Sequence, residues 1–392
     1  MSQQLISHNE DLKKLRDEGY HLEICGGQLI AHHIPYVNSK KEVKLGSLVC
    51  PLSLSGQTTV KPNNHVINFS GEHPCDHNGN IIKAIQYRSM KTRLPNGLET
   101  NFSFSNKPKG GYPDYYEKVK RYAEIISAPA ISLDNSVTAK PFKVIESVEE
   151  NLPFKYYDTN SSRANIENVT QKLESQKIAI VGLGGTGSYI LDLVSKTCVD
   201  EIHLFDGDYF LNHNAFRSPS ACSIEELSKK PKKVDYYFDI YSRLKNNIVP
   251  HETYLSEENL HELGEFDFVF LCVDDNEARA LCIHYLVSIK KPFVDVGLGI
   301  NLVNDQLIGT TRVTLGTKDM VDHIEKRVPR ETEMDNEYKS NIQIVELNAL
   351  NAVQAVIKWK KHFGFYQDLV NEYHSTYSIN DSLLLNEECY GS

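Results

Sequence analysis

Four glycines, at 182, 184, 185 and 187 in the run VGLGGTG, separate an apolar stretch from one of helical periodicity. Glycine at that spacing lets the chain turn tightly and bring bare backbone against a phosphate, while the N-terminus of the following helix adds free N–H groups and a partial positive charge. The chemistry on offer is nucleotide binding. Three acidic residues, Asp206, Asp208 and Asp275, each close an apolar strand-like run, so they fall at strand ends on the edge that carries the glycine turn. A second cluster, HPCDHNG, sets His73, Cys75 and His77 at alternate positions. On a strand these would share a face able to bind a soft metal or to activate the thiol through an imidazole. The competing reading is a polar turn, since Pro74, Asn78 and Gly79 are turn residues and the spacing matches no common zinc pattern.

The elements that must position these groups can be read around them. Lys177–Asp208 is one βαβ unit: a buried strand (Ile178–Val181), the turn, a helix from about Thr186, and a strand (Glu201–Phe205) ending on acid. Downstream come a lysine-rich helix, IEELSKKPKKVDYYFDIYSRLKNN, the strand IVPHETYL, a buried strand (Phe268–Val273), a helix carrying Arg279, and a further strand (Pro292–Val296). Strands alternating with helices predict an α/β fold, a Rossmann-like, doubly wound, mostly parallel sheet. IQIVELNALNAVQAVIKWKKHFGFYQDLV predicts one long helix with Ile344, Leu347, Leu350, Val353 and Ile357 on its apolar side.

Upstream the character differs. A short amphipathic helix over 5–20 gives way to alternating runs such as HLEICGGQLIAHHIPYV and HVINFSGEHPC, which predict a smaller, antiparallel, mostly β (α+β) domain. Its helix, GYPDYYEKVKRYAEIISAP, places Tyr115, Val119, Tyr122 and Ile126 on one face. A mixed, polar, proline-containing segment follows, so the chain divides into an N-terminal domain (1–155), a nucleotide-binding domain (156–365) and a C-terminal tail (366–392).

Composition narrows the classes. With 392 residues, 40% hydrophobic and 24% charged, the chain reads as ordinary soluble globular protein of about two domains. A net charge of −10 argues against nucleic acid as a partner. No apolar leader and no membrane-spanning run is present, which predicts a cytoplasmic protein with no membrane partner. Eight scattered cysteines without a C-x-x-C pair read as reduced thiols.

Five elements in order resemble the ThiF/MoeB/HesA family of adenylating enzymes, whose members include the ubiquitin-activating enzymes: G-x-G-G-x-G at 182–187, Asp206, Asp208-x5-Asn214-x2-Arg217, Pro231–Lys232, and D-N-x-x-A-R at Asp275–Arg279. The resemblance covers roughly 166–365 and implies an ATP-binding adenylation domain. In such enzymes the C-terminal glycine carboxylate of a ubiquitin-like or sulfur-carrier protein attacks the α-phosphorus of ATP. Carried over by position, the glycines bind phosphate, Asp206 holds the ribose, Asn214 and Arg217 hold phosphates, Lys232 neutralises charge at the reacting centre, and Asp275 binds Mg2+. Lys233 is a rival for Lys232, because the run KKPKKV permits a one-residue shift. Arg163 resembles an arginine that reaches the partner subunit's ATP, and the family implies a homodimer.

Two departures set limits. Relatives with a zinc hold it with two C-x-x-C pairs, and no cysteine lies between 282 and 389, so no structural zinc is expected. Relatives that form a thioester carry a cysteine in the crossover segment, here 305–341, which has none. Cys389 and then Cys75 are the alternative thiols, although Glu387 and Glu388 beside Cys389 would raise its pKa. The preferred reading stops at the adenylate. The N-terminal domain has no motif of the family; the layout resembles ThiF-like proteins from bacterial gene clusters that encode ubiquitin-like proteins. The alternatives are an NAD-dependent oxidoreductase, which the glycine turn and Asp206 also fit, and an inactive ThiF-like binding scaffold.

Overall fold

The computed structural model describes residues 2–145, 152–328 and 342–389. The chain divides into two compact units, Met1–Ile145 with Asp158–Asn165, and Glu146–Tyr157 with Ile166–Ser392.

The first unit opens with helices α1 (Ser2–His8) and α2 (Glu10–Asp17). Eight strands follow: β1 (His21–Cys25), β2 (Gln28–Val37), β3 (Val43–Pro51), β4 (Leu54–Ser55), β5 (Thr58–Thr59), β6 (Val66–Ser70), β7 (Gln86–Arg93) and β8 (Glu99–Ser105). Six form an antiparallel sheet in the order β1-β2-β3-β6-β8-β7. Helix α3 (Tyr115–Leu133) starts where the Asp114 carboxylate accepts the Glu117 N–H at 2.8 Å, a side-chain N-cap worth about 1 kcal/mol. It buries Tyr115, Val119, Tyr122 and Ile126 in the core it shares with β2 and β3, the face that helical spacing predicts. Helix α4 (Thr159–Ala164) completes this unit.

The second unit runs α5 (Glu167–Thr170), β9 (Lys177–Val181), α6 (Gly185–Val194), β10 (Glu201–Phe205), α7 (Asn212–Ala215), α8 (Ile224–Ser228), α9 (Lys233–Tyr241), β11 (Ile248–His251), β12 (Phe268–Leu271), α10 (Asn276–Ser288), β13 (Phe293–Val303), β14 (Gln306–Gly316), α11 (Ile324–Arg327), α12 (Val345–His362), β15 (Glu372–Ser378) and β16 (Leu383–Cys389). Its sheet has the order β11-β10-β9-β12-β13-β14-β15-β16. Pairs from β11 to β13 are parallel, and those from β13 onward antiparallel.

Both faces of the parallel part are covered, which is why β9 is apolar at every position after Lys177 instead of alternating. Ile178 and Ile180 meet Ile190, Leu191 and Val194 of α6 together with Trp359 of α12. Ala179 and Val181 meet the opposite layer, with Cys282, Ile283 and Leu286 of α10. Burial of each large apolar side chain contributes roughly 2 kcal/mol. The doubly wound sheet and the smaller antiparallel sheet agree with the sequence-based fold class.

Two elements differ from the sequence reading. Residues 366–392, expected to be a tail, supply β15 and β16, whose tyrosines, threonine and serines suit an edge of a sheet without a clean apolar alternation to announce them. Helix α12 buries Leu347, Asn348, Asn351, Ala352, Ala355, Val356 and Trp359, while Val353 and Ile357 stay 40% exposed. Of the two asparagines it buries, Asn348 meets Gly185 and Thr186 at the start of α6, and Asn351 reaches the Gly297 carbonyl of β13. Among the described residues no helix is long and apolar enough to cross a membrane, and the stretch 329–341 of the crossover segment lies outside them.

Candidate functional site

β9 lies between β10 and β12, so the chain leaves its carboxyl end with neighbours running to either side, the crevice where open α/β sheets hold ligands. A cavity of about 910 Å3 lies there, ample for a nucleotide. It is lined by Gly182, Gly184, Gly185 and Thr186 from the turn, by Asp206, Asp208, Asn214, Arg217 and Lys233 beyond β10, and by Asp275 and Arg279 beyond β12. Ten of the residues singled out in the sequence therefore converge, Gly182, Gly184, Gly185, Asp206, Asp208, Asn214, Arg217, Lys233, Asp275 and Arg279.

The turn is built by steric need. Gly182 has φ of +89°, and any Cβ there would meet the Cys272 carbonyl. A Cβ on Gly187 would collide with the Gly182 carbonyl, and one on Gly185 with the Asn348 amide. Gly184, the N-cap of α6, differs: a Cβ there would meet nothing within 4 Å. The space over Gly184 is open cavity, room for a ligand to approach the backbone.

Asp206 holds the turn in place. Its carboxylate accepts the N–H of Leu183 at 2.7 Å and of Asp208 at 2.8 Å. Lys233, buried, bridges Asp206 at 3.3 Å and Asp208 at 2.7 Å. The Tyr254 hydroxyl donates to Asp208 at 2.5 Å, and that bond first, then burial, pushes the phenol up to about 12. For Asp208 burial works to raise its pKa, but the bonds from Lys233 and Tyr254 outweigh it and hold the carboxyl below its ordinary value.

Of the two rival lysines, Lys233 lines the cavity and Lys232 does not. Lys232 donates to the Gly207 carbonyl at 2.8 Å, pairs with Glu252 at 3.0 Å and lies over the Tyr209 ring. α9 begins at Lys233, so the two neighbouring side chains diverge, and it is Lys233 that reaches the cavity.

Arg217 lines the cavity, and its Nε is buried with no hydrogen-bond partner among the described residues. A buried donor left unpaired costs about 1–3 kcal/mol, so this arginine is set for an acceptor that the chain does not supply. Asn214 is buried, and its side-chain oxygen accepts the Leu211 N–H at 2.9 Å, fixing the loop that carries Arg217. Asp275 caps α10, its Oδ1 accepting the Ala278 N–H at 2.7 Å. Among the described residues no group of three or more His, Cys, Asp or Glu could hold a metal ion. A Mg2+ that keeps most of its waters and takes phosphate oxygens needs only one or two carboxylates, and exposed Asp275 fits that smaller demand.

Sequence reasoning missed Asp295, Arg312, Asn348, Asn351 and Tyr254. Fully buried Asp295 pairs with Arg279 at 3.1 Å and with Arg312 at 2.7 Å. The visible signal was an aspartate in the middle of the apolar run PFVDVG, where a buried carboxylate requires a cation. Asn348 accepts the Thr186 hydroxyl at 3.0 Å, and Asn351 donates to the Gly297 carbonyl at 3.0 Å.

The remaining sequence candidates are not among the residues that line the cavity. Gly187 packs inside α6, and Arg163 is exposed on α4. Cys75 is corrected as an accessible thiol: fully buried, it bridges Val37 and Ile81, its Sγ donates to the His73 carbonyl at 3.3 Å, and burial pushes the thiol up. His73 packs its ring on Phe102 and Phe104 while His77 is exposed, so the three side chains share no ligand face. Cys389 ends β16, and its side chain lies outside the described residues.

Residues 157–327 match the ThiF family, and residues 10–159 match a domain of unknown function, DUF6791. Ubiquitin-like modifier-activating enzyme 5 of Drosophila mojavensis is 28% identical over 128 residues, 30% of this chain and 32% of that enzyme. The chain thus spans about a third of the length of this curated relative. Among solved structures, E. coli MccB with MccA-N7isoASN is 16% identical with a TM-score of 0.49, covering 78% of this chain and 96% of MccB. PaaA is 20% identical with a TM-score of 0.45, covering 56% of this chain and 75% of PaaA.

Proposed function

From a chain that carries a ThiF family domain at residues 157–327, we propose an enzyme that uses ATP to adenylate the C-terminal glycine of a ubiquitin-like or sulfur-carrier protein. The observation that carries this reading is the meeting, in one cavity, of a glycine turn open above Gly184 with Arg217, whose buried Nε has no partner.

In the reaction a carboxylate oxygen forms a bond to the α-phosphorus as the bond from that phosphorus to the bridging oxygen breaks, and its electron pair departs with pyrophosphate. No proton needs to move, so the demand on the protein is position and charge. Two anions must meet, and the cavity answers with Arg217 and Lys233 beside the turn and with the N–H groups that open α6. Asp206 and Asp208, which line the cavity at the β10 end, would hold the ribose hydroxyls, and Arg217, on the loop that Asn214 fixes, the phosphates. Asp275 is the residue for Mg2+, and a bound Mg2+ would spread the charge that leaves with pyrophosphate. Hydride transfer would not call for the Arg217 and Lys233 pair.

The test is exchange of labelled pyrophosphate into ATP in the presence of candidate carrier proteins that end in glycine. Carrier-dependent exchange is expected, lost when the terminal glycine is removed and abolished in a folded Asp275→Ala variant. Absence of exchange with every candidate, together with tight NAD binding, would overturn the proposal.

A further inference from the structure

The cavity extends past the nucleotide groups to a wall formed by the β13–β14 hairpin, β15 and the start of α12, where Gly297, Gly299, Thr310, Arg312, Asn351 and Thr376 line it. Nothing in the nucleotide reading uses this wall. Behind it, fully buried Asp295 faces two guanidinium groups, Arg279 and Arg312, so the cluster keeps one surplus positive charge.

The two arginines are not equivalent. Arg279 is consumed by the fold, with its nitrogens bonded to Asp295, the Asn276 side chain and the Val273 carbonyl. Arg312 meets Asp295 and, at 3.2 Å, the Thr314 hydroxyl. A guanidinium has five N–H donors in a planar fork, so Arg312 keeps donors for the cavity it lines.

The strand beside it carries two glycines. Arg312 stands opposite Gly297 in the β13–β14 register, and a Cβ on Gly297 would fall 2.6 Å from its Nη2, so glycine there lets the guanidinium lie against the strand. Gly299, on the same face by strand alternation, would bring a Cβ no nearer than 3.9 Å to Thr310 Oγ1. From α12, which packs on the opposite face of the sheet, fully buried Asn351 holds the Gly297 carbonyl, and its Oδ1 has no partner among the described residues. A floor open at Gly299, with a directional cation lying over Gly297 at its edge, suits an extended main chain of small residues.

We propose that Arg312 is the specificity-determining residue for the acyl substrate, binding main-chain carbonyls of an extended, glycine-ending segment laid over Gly299 beside the guanidinium that covers Gly297. This rests on the adenylation reading, which gives the β10 side of the cavity to base and ribose and leaves the β13–β15 side for the carboxylate donor. The surplus charge offsets repulsion between the incoming carboxylate and the phosphates. The planar fork adds direction that a lysine would lack.

Two probes separate the inference from the reading beneath it: 5′-O-sulfamoyladenosine, and the same nucleoside carrying glycylglycine on the sulfamate as a stable mimic of a peptidyl adenylate. Binding of both is measured calorimetrically to the full chain, to Arg312→Met and to Arg312→Lys, with thermal unfolding as the check on folding; Arg312→Lys preserves the counter-charge of Asp295. In the unaltered protein the peptidyl mimic is expected to bind about tenfold tighter or better, the scale of hydrogen bonds to a charged group. That gain should vanish in Arg312→Met and shrink in Arg312→Lys, with sulfamoyladenosine affinity unchanged in both. An equal gain in all three proteins, or no gain in the unaltered protein while sulfamoyladenosine still binds, overturns the role of Arg312 alone. Failure of both probes to bind the unaltered protein overturns the adenylation reading with it.

Discussion

Lys233 shows how much a single position decides. Its ammonium is buried against Asp206 and Asp208 at the rim of the cavity, while that of Lys232 is tied to Gly207 and Glu252 and does not line it. The hydrogen bond to Glu252, foremost, raises the Lys232 pKa, which marks a charge engaged elsewhere. Replacing Lys233 by Met is therefore expected to lower carrier-dependent pyrophosphate exchange about 100-fold, the usual loss when one charge-stabilising donor is removed. Lys232→Met should remain within about twofold of the unaltered protein, since an exposed ion pair is worth ~1 kcal/mol or less. Both are checked by initial exchange rates at saturating ATP, with unfolding midpoints recorded because Lys233→Met leaves Asp206 without its cation. The opposite ranking would return the role to Lys232. Sequence alone could not choose, because KKPKKV offers two registers and the choice is made where α9 begins, by a hydrogen bond from the Lys233 N–H to the Asp208 carbonyl at 2.9 Å.

At the scale of elements, the strand-turn-helix of β9 and α6 was the most legible part of the chain, since its signals are local: four buried residues in a row, then glycines, then helical spacing. Asp206 and Asp275 were legible for the same reason, each ending an apolar run. The wall around Arg312 was not, because Asp295 and Arg312 are 17 positions apart and Arg279 comes from a third element; only the β13–β14 register brings them together. β15 and β16 were read as tail because their pairing partners, not their own pattern, make them strands. The glycines of the turn also looked alike in sequence yet differ in function. Gly187→Ala drives a methyl group into the Gly182 carbonyl and is expected to cost about 1–3 kcal/mol of stability, as overpacking does. Gly184→Ala meets open space, so its unfolding midpoint should stay close to that of the unaltered protein while ATP affinity falls about tenfold, roughly 1.4 kcal/mol. Thermal unfolding and ATP titration of the two variants check this, and equal destabilisation of both would remove the argument that the space above Gly184 is kept for a ligand.

For the whole molecule, acid should be a stress that each unit meets through a neutral histidine, half-buried in the first unit and buried in the second. In the first unit, burial foremost, then His32, Lys143 and His33, lower the His21 pKa to about 4. In the second, His374 on β15 is 3% exposed, shares a hydrogen bond with Thr314 at 3.0 Å, and is lowered to about 4 by burial first and then by Arg327, Arg312, His323 and Lys358. An unfolded histidine takes its proton near 6.5. Between about 6.5 and about 4 the unfolded chain therefore binds more protons than the folded one, and stability falls as pH falls; above 6.5 the contribution of these neutral rings is fully present. The formal net charge of −10 acts the other way, because mild acidification reduces self-repulsion, but that field is spread over the surface and screened by salt within about 10 Å. At moderate ionic strength these neutral rings should prevail, so the unfolding midpoint is expected to drop steadily from pH 7 to pH 5. His374→Gln removes one titrating ring while keeping a polar partner for Thr314, and should flatten that slope. His77→Gln serves as the control for loss of a histidine at an exposed position. A pH series of thermal unfolding in 0.15 M salt compares the three proteins, and a slope that His374→Gln does not change would assign the acid sensitivity to other groups.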